Sequence, residues 1–168
     1  MMKQSGFMQA LHSDAPAADR AKQSELYGWL IGDWALTTTK YEDDGTVQTG
    51  TGEIHFGWVL EGRAIQDVWV LHGVFYGSTL RVYDPGLDAW HILWSDPVRQ
   101  IYTRQLGRKQ GNDIVQIGAW NDLTLRWTFT DITPDSFRWL GERSADGGKT
   151  WMLQSDYRAR RAKLSNKE

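Results

Sequence analysis

Arg63 and Asp67 stand four residues apart in the run GRAIQDVWVL, where apolar and other side chains alternate. On a strand that spacing sends both side chains to one face, about 13 Å apart. At that separation a guanidinium and a carboxylate do not pair directly. Each is placed to hold part of a ligand or to meet a charge on a neighbouring strand. Trp69 shares their face. Polar groups set among aromatic side chains are what a small-molecule pocket uses. Arg81 and Tyr83, two apart in TLRVYD, repeat the pattern. Asp67 and Glu142 are the carboxylates available for acid–base work, and no second carboxylate at a fixed spacing accompanies either.

Other chemistry is poorly supplied. The histidines, His12, His55, His72 and His91, form no H-x-H or H-x-x-x-H pair, and the chain has no Cys. No metal site is expected, and thiolate zinc centres, disulfides and cysteine nucleophiles are excluded. No G-x-S-x-G elbow, P-loop or Rossmann glycine pattern occurs, so no cofactor is expected. Ser144–Trp151, SADGGKTW, matches the Asp-box hairpin S-x-D-x-G-x-T-W. It occurs once, where a propeller would repeat it, and reads as a structural turn.

These side chains must be positioned by strands. From Gly52 to Leu71 two apolar runs flank Glu61-Gly62, a hairpin signal. Pairing Leu60 with Arg63 sets Trp58 opposite Ile65, Phe56 opposite Asp67 and Ile54 opposite Trp69, all on one face. A turn at Asn121-Asp122 sets Gln116 opposite Trp127 and Ile114 opposite Phe129, with Trp139 of the following strand beside them. Trp90, Ile92 and Trp94 are placed with Thr79, Arg81 and Tyr83. Ten strands are expected: 33–41, 47–60, 63–71, 74–84, 89–95, 100–106, 113–120, 123–131, 136–143 and 150–160. Turn chemistry such as Asp44-Gly45, His72-Gly73 and Gly111-Asn112 separates them. Short links make neighbours antiparallel, and so long a meander is completed by closing into a barrel or folding into a sandwich. Before the first strand a helix is expected from Asp14, which would cap it, with Pro16 in its first turn. Residues 1–14 are expected to be a flexible lead-in and 161–168 a basic tail, leaving one domain over 15–160.

Composition narrows the function classes. Nineteen basic and 21 acidic residues leave a net charge of −2, without the electrostatic footprint for nucleic acid or an anionic membrane. No apolar run approaches the length of a membrane span and the N-terminus lacks a signal-peptide core, so a cytoplasmic protein is expected. Ten Trp among 168 residues give a barrel large aromatic surfaces with which to line or fill its lumen.

Gly32-Asp33-Trp34, where helix gives way to strand, resembles the entry to the first strand of lipocalin-like (calycin) barrels. The strings GEIHFGWVLEGRAIQDVWV, STLRVYDPGLDAW and RWTFTDITPDSFRWLGERSADGGKTW resemble a family of bacterial lipocalin-like proteins of unknown function, across roughly residues 26–160. The resemblance implies an all-β, up-and-down antiparallel barrel of about ten strands around a cavity, with Trp34 in the closed end beside an arginine, for which Arg143 and Arg158 are candidates. It carries over no catalytic residue. The strand count is also similar to that of fatty-acid-binding barrels and haem-binding nitrobindins.

The expected function is binding of a small, partly apolar or aromatic molecule with a polar group. The expected lining is Trp58, Arg63, Asp67, Trp69, Arg81, Trp94, Trp127 and Trp139, with Trp34 as floor and Arg63 holding an anionic or carbonyl group. Three alternatives stand beside it: an isomerase, decarboxylase or hydrolase using a lumen carboxylate; a haem protein; and a solid barrel acting through its surface. An exposed aromatic patch would make a homodimer reasonable.

Overall fold

The computed structural model describes residues 5–163. A short helix α1 (Gly6–Leu11) is capped by Ser5, whose Oγ accepts from the Met8 amide at 3.3 Å. Strand β1 (His12–Ser13) follows and pairs with Val59 and Trp58. After a 3₁₀ turn at Ala18–Arg20 comes α2 (Ala21–Gly28). The lead-in expected to be flexible thus carries both a helix and a sheet pairing.

The helix expected from Asp14 starts seven residues later. Asp14 takes the His12 ring at 3.0 Å instead of capping, and the Ala17 amide donates to the Gly62 carbonyl at 3.0 Å. That bond holds residues 15–17 across the tip of the hairpin. A Cβ on Gly62 would fall 2.1 Å from the Ala15 carbonyl oxygen, and its φ of +74° favours glycine in any case.

Ten strands then form a closed antiparallel up-and-down barrel. They are β2 (Gly32–Tyr41), β3 (Val47–Val59), β4 (Ala64–Leu71), β5 (Phe75–Asp84), β6 (Ala89–Asp96), β7 (Ile101–Gln110), β8 (Asp113–Trp120), β9 (Leu123–Thr130), β10 (Ser136–Ser144) and β11 (Met152–Arg161). Each pairs with its neighbours in sequence, and β11 closes the ring on β2. Closure leaves the ten barrel strands no free edge. The expected registers are found: Trp58 opposite Ile65, Phe56 opposite Asp67, Ile54 opposite Trp69, Gln116 opposite Trp127, Ile114 opposite Phe129 and Arg81 opposite Ile92.

Alternation decides what points inward. Toward the end nearest α2 the lumen is filled by Tyr27, Leu30, Ile54, Ile65, Ile92 and Phe129, all fully buried, and an open cleft lies between α2 and the barrel, lined by Leu26, Trp29, Tyr83, Trp90 and Ile114. Burying each such side chain is worth about 1.5–3 kcal/mol. Trp34 packs edge-on against Phe137, with centroids 4.8 Å apart, and its indole N–H donates to the Leu30 carbonyl at 2.7 Å. The arginine beside it is Arg161, not Arg143 or Arg158. Its guanidinium lies 4.2 Å over the Trp34 ring and donates to the carbonyls of Trp29, Ile31 and Pro134. Arg161 ends β11 rather than opening the tail, and residues 164–168 lie outside the described residues. No helix among the described residues is long and apolar enough to cross a membrane.

Candidate functional site

At the end away from α2 the lumen opens into a cavity of about 190 Å³. Its inner wall is built from inward positions of β4, β6, β9 and β10. Trp69, Trp94, Trp127 and Trp139 form a closed ring, with successive centroids 6.5, 6.1, 5.5 and 5.4 Å apart. Tyr157 stacks on Trp139 at 5.3 Å and 26°, and Phe75 meets Trp94 edge-on at 5.8 Å. Trp94 packs against Gly77, where a Cβ would come within 2.4 Å of the indole. Between Gly141 and Glu142 the pairing with β11 shifts register, leaving Gln154 as an extra residue in a bulge on β11 at the mouth, and Gly141, Glu142, Arg143 and Gln154 all line the cavity.

The rim is charged. Lys40, Arg99, Arg143 and Glu142 line the mouth, and Arg81 lies deeper. Arg143 is paired with Asp43, and Glu142 takes both nitrogens of a bidentate Arg126 at 2.7 and 2.9 Å. Arg99 donates through Nε to Asp96 at 2.7 Å and sits 4.7 Å over the Phe75 ring. Burial would raise the Asp96 pKa. The Arg99 and Val98 amides and the Arg99 guanidinium outweigh burial and hold the carboxyl below its usual range. Lys40, half-buried, lies 5.9 Å over the same Phe75 ring. Burial and then the neighbouring Arg99 push its pKa below the ordinary lysine value.

Beneath the tryptophan ring is a buried ion pair. Asp67 and Arg81 pair directly, and the other Asp67 oxygen accepts the Thr79 amide at 2.7 Å. The Arg81 guanidinium lies 5.4, 5.6 and 5.7 Å from the ring centroids of Tyr27, Phe56 and Phe129. With both oxygens engaged, Asp67 is a structural counterion, not a free acid or base. Close by, Tyr27 donates to Gln116 Oε1 at 3.1 Å, and burial pushes its phenol pKa well up. The Arg81 Nε, the Trp69 Nε1, the Gln116 Nε2 and both amide atoms of Gln105 are buried without partners among the described residues.

Of the expected lining residues, Trp69, Arg81, Trp94, Trp127 and Trp139 come together around the cavity. Asp67 reaches it only through Arg81. Trp34 floors the closed end. Trp58 packs its ring 3.2 Å from where a Gly28 Cβ would stand, at the helix rather than in the cavity. Arg63 is a correction. It lies outside the barrel and bonds Asp19 at 3.1 Å. Leu60, Glu61 and Gly62 all have positive φ, so the hairpin is a four-residue loop closing at Val59 and Ala64, and its twist carries Arg63 away from the face of Ile65 and Asp67. Lys40, Phe75, Arg99 and Tyr157 were missed. Lys40 and Tyr157 could have been found from parity, since Lys40 alternates with Trp34, Leu36 and Thr38, while Arg99 sits in a turn that no alternation rule reaches.

The histidines lie outside the cavity: His12 with Asp14, His55 with Asp33, His91 with Asp84, and His72 exposed in a turn. No cluster of three or more metal-ligating residues occurs among the described residues. The Asp-box segment is a hairpin turn in which Asp146 accepts from the Lys149 and Thr150 amides and the Thr150 hydroxyl.

No protein-family model and no curated protein matches the sequence. Among solved structures the chain is similar to the S-type phycobiliprotein lyase CPES from Guillardia theta, with a TM-score of 0.58 and 14% identity over 84% of this chain and 93% of that one. It is also similar to Rv2717c from M. tuberculosis, with a TM-score of 0.58 and 13% identity over 83% and 97%. At these identities the likeness is one of fold, that of a closed antiparallel up-and-down β-barrel.

Proposed function

We propose that the protein reversibly binds one small, flat, partly apolar molecule in the cavity at the open end. The single observation carrying this reading is the closed ring of four tryptophans that lines the cavity. Aromatic walls offer area and stacking at little entropic cost, with charge confined to the rim. An engineered apolar cavity of about 150 Å³ accommodates benzene. At about 190 Å³, the cavity suits a ligand of one or two fused rings. Neither an acid–base carboxylate nor a histidine lines the cavity free of a partner, so binding is favoured over the hydrolase and haem readings.

Isothermal titration with 2-naphthamide, a neutral two-ring probe, is expected to saturate at one per chain. Native mass spectrometry of protein as purified is expected to show excess mass lost on denaturation. Ser155→Phe, which projects a ring from β11 into the cavity, should abolish both while unfolding stays cooperative. Titrations that stay flat with two-ring aromatics, together with a bare chain mass, would overturn the reading.

A further inference from the structure

The charges around the cavity can be paired off one by one. Four cations line it, Lys40, Arg81, Arg99 and Arg143, against one anion, Glu142. Arg81 has Asp67, Arg99 has Asp96 and Arg143 has Asp43. Glu142 is taken by Arg126, which approaches from outside the cavity. Lys40 is left over, with no carboxylate within ion-pair distance among the described residues. The charges acting on it are Arg99, which opposes its protonation, and, more weakly, Glu42 and Asp96, which favour it. A half-buried ammonium without a counterion is costly, and an anion arriving with a ligand would relieve that cost.

Position adds to charge. Lys40 is inward-facing on β2, and its ammonium and the Arg99 guanidinium lie over one ring, that of Phe75. Phe75 in turn packs on Trp94 of the tryptophan ring. An anion held by Lys40 would therefore leave the body of its molecule against the indoles. One uncompensated point charge matches one negative charge. A phosphate dianion would need a second free cation, and the three arginines already have carboxylates.

We infer that the ligand is a small aromatic monocarboxylate, its ring on the tryptophans and its carboxylate on Lys40 at the mouth. This rests on the binding site proposed above and names the chemistry that site selects. Binding is charge-assisted at one end and stacking at the other.

The test compares three probes of one shape: 2-naphthoate, 2-naphthamide and 2-naphthylmethylammonium. On the wild-type protein the acid is expected to bind at least tenfold more tightly than the amide, and the ammonium more weakly than either. Lys40→Met should erase the preference, acid and amide then binding alike, and Lys40→Arg should restore it. Far-ultraviolet circular dichroism and cooperative unfolding establish that each variant is folded. Equal binding of acid and amide to the wild type would overturn the carboxylate assignment and leave the cavity reading standing. A preference that survives Lys40→Met would overturn the role of Lys40. Failure of all three probes to bind would overturn both readings together.

Discussion

Take away the Asp67 carboxylate and the Arg81 guanidinium remains charged inside a cage of Tyr27, Phe56 and Phe129, with no counterion. Breaking one side of such a fully buried pair costs about 3–5 kcal/mol, whereas replacing both partners with apolar side chains of similar volume is often neutral. Asp67→Asn is therefore expected to lower urea stability by about 3–5 kcal/mol, and Asp67→Leu/Arg81→Met to recover most of it. A single variant as stable as wild type would mean that the pair is not the counterion unit its geometry describes. Asp67 and Arg81 were legible in the sequence as inward polar residues, because parity with Trp69 and Thr79 fixes their face. Their partnership was not legible. Spacing along the strand rules out Arg63 as its direct partner and allows a charge on a neighbouring strand, and the structure names that charge as Arg81 of β5. Parity also fails within a turn, and Arg63 is the last residue of the loop that precedes β4.

At the scale of elements, α2 meets the barrel at glycines that leave space for it, most tightly at Gly107. The Tyr27 hydroxyl lies 2.2 Å from where a Gly107 Cβ would stand on β7, on its way to Gln116 of β8. Gly107→Ala would push Tyr27 off that line, and overpacking of this kind costs about 1–3 kcal/mol. Tyr27→Phe instead keeps the packing and strands the Gln116 carbonyl, at about 1–3 kcal/mol. Both should lower the melting temperature, and Gly107→Ala should also weaken amide-exchange protection in residues 21–28. Unchanged protection there would show that the helix docks by other contacts. The strands were readable because turn residues fall between alternating runs, so one turn sets a whole register. The helix was misjudged at its start. Asp14 and Pro16 are good N-terminal residues, and a tertiary bond from Ala17 to Gly62 overrides them. Local signals describe the choices open to a segment, and the hairpin tip selects among them.

Across the whole molecule, nine of the ten barrel pairings join strands that follow one another in sequence, and one, β11 on β2, joins the two ends of the meander. Arg161 sits at that seam, spanning the turn after α2 and the Pro134 loop while covering Trp34. Arg161→Ala should speed unfolding and cost about 1.5–3 kcal/mol, the range for a hydrogen bond to a charged group. Arg161→Lys should recover little of the loss, since an ammonium cannot reproduce a planar fork stacked on an indole. Unfolding as slow as wild type in either variant would remove the seam from Arg161. The sequence resemblance pointed to an arginine at this place without saying which. The choice depends on where β11 ends, and strand ends are decided by the loops they meet. The mouth of the cavity was the least readable part for the same reason, because Arg99 belongs to a turn and Gln154 to a bulge in β11. The ring of tryptophans has a consequence of another kind. Four indoles at centroid spacings of 5.4–6.5 Å lie close enough for their electronic transitions to couple. Light absorbed by one is shared among all, so the barrel carries a collective chromophore. A molecule resting on any single ring would alter the emission of the whole set.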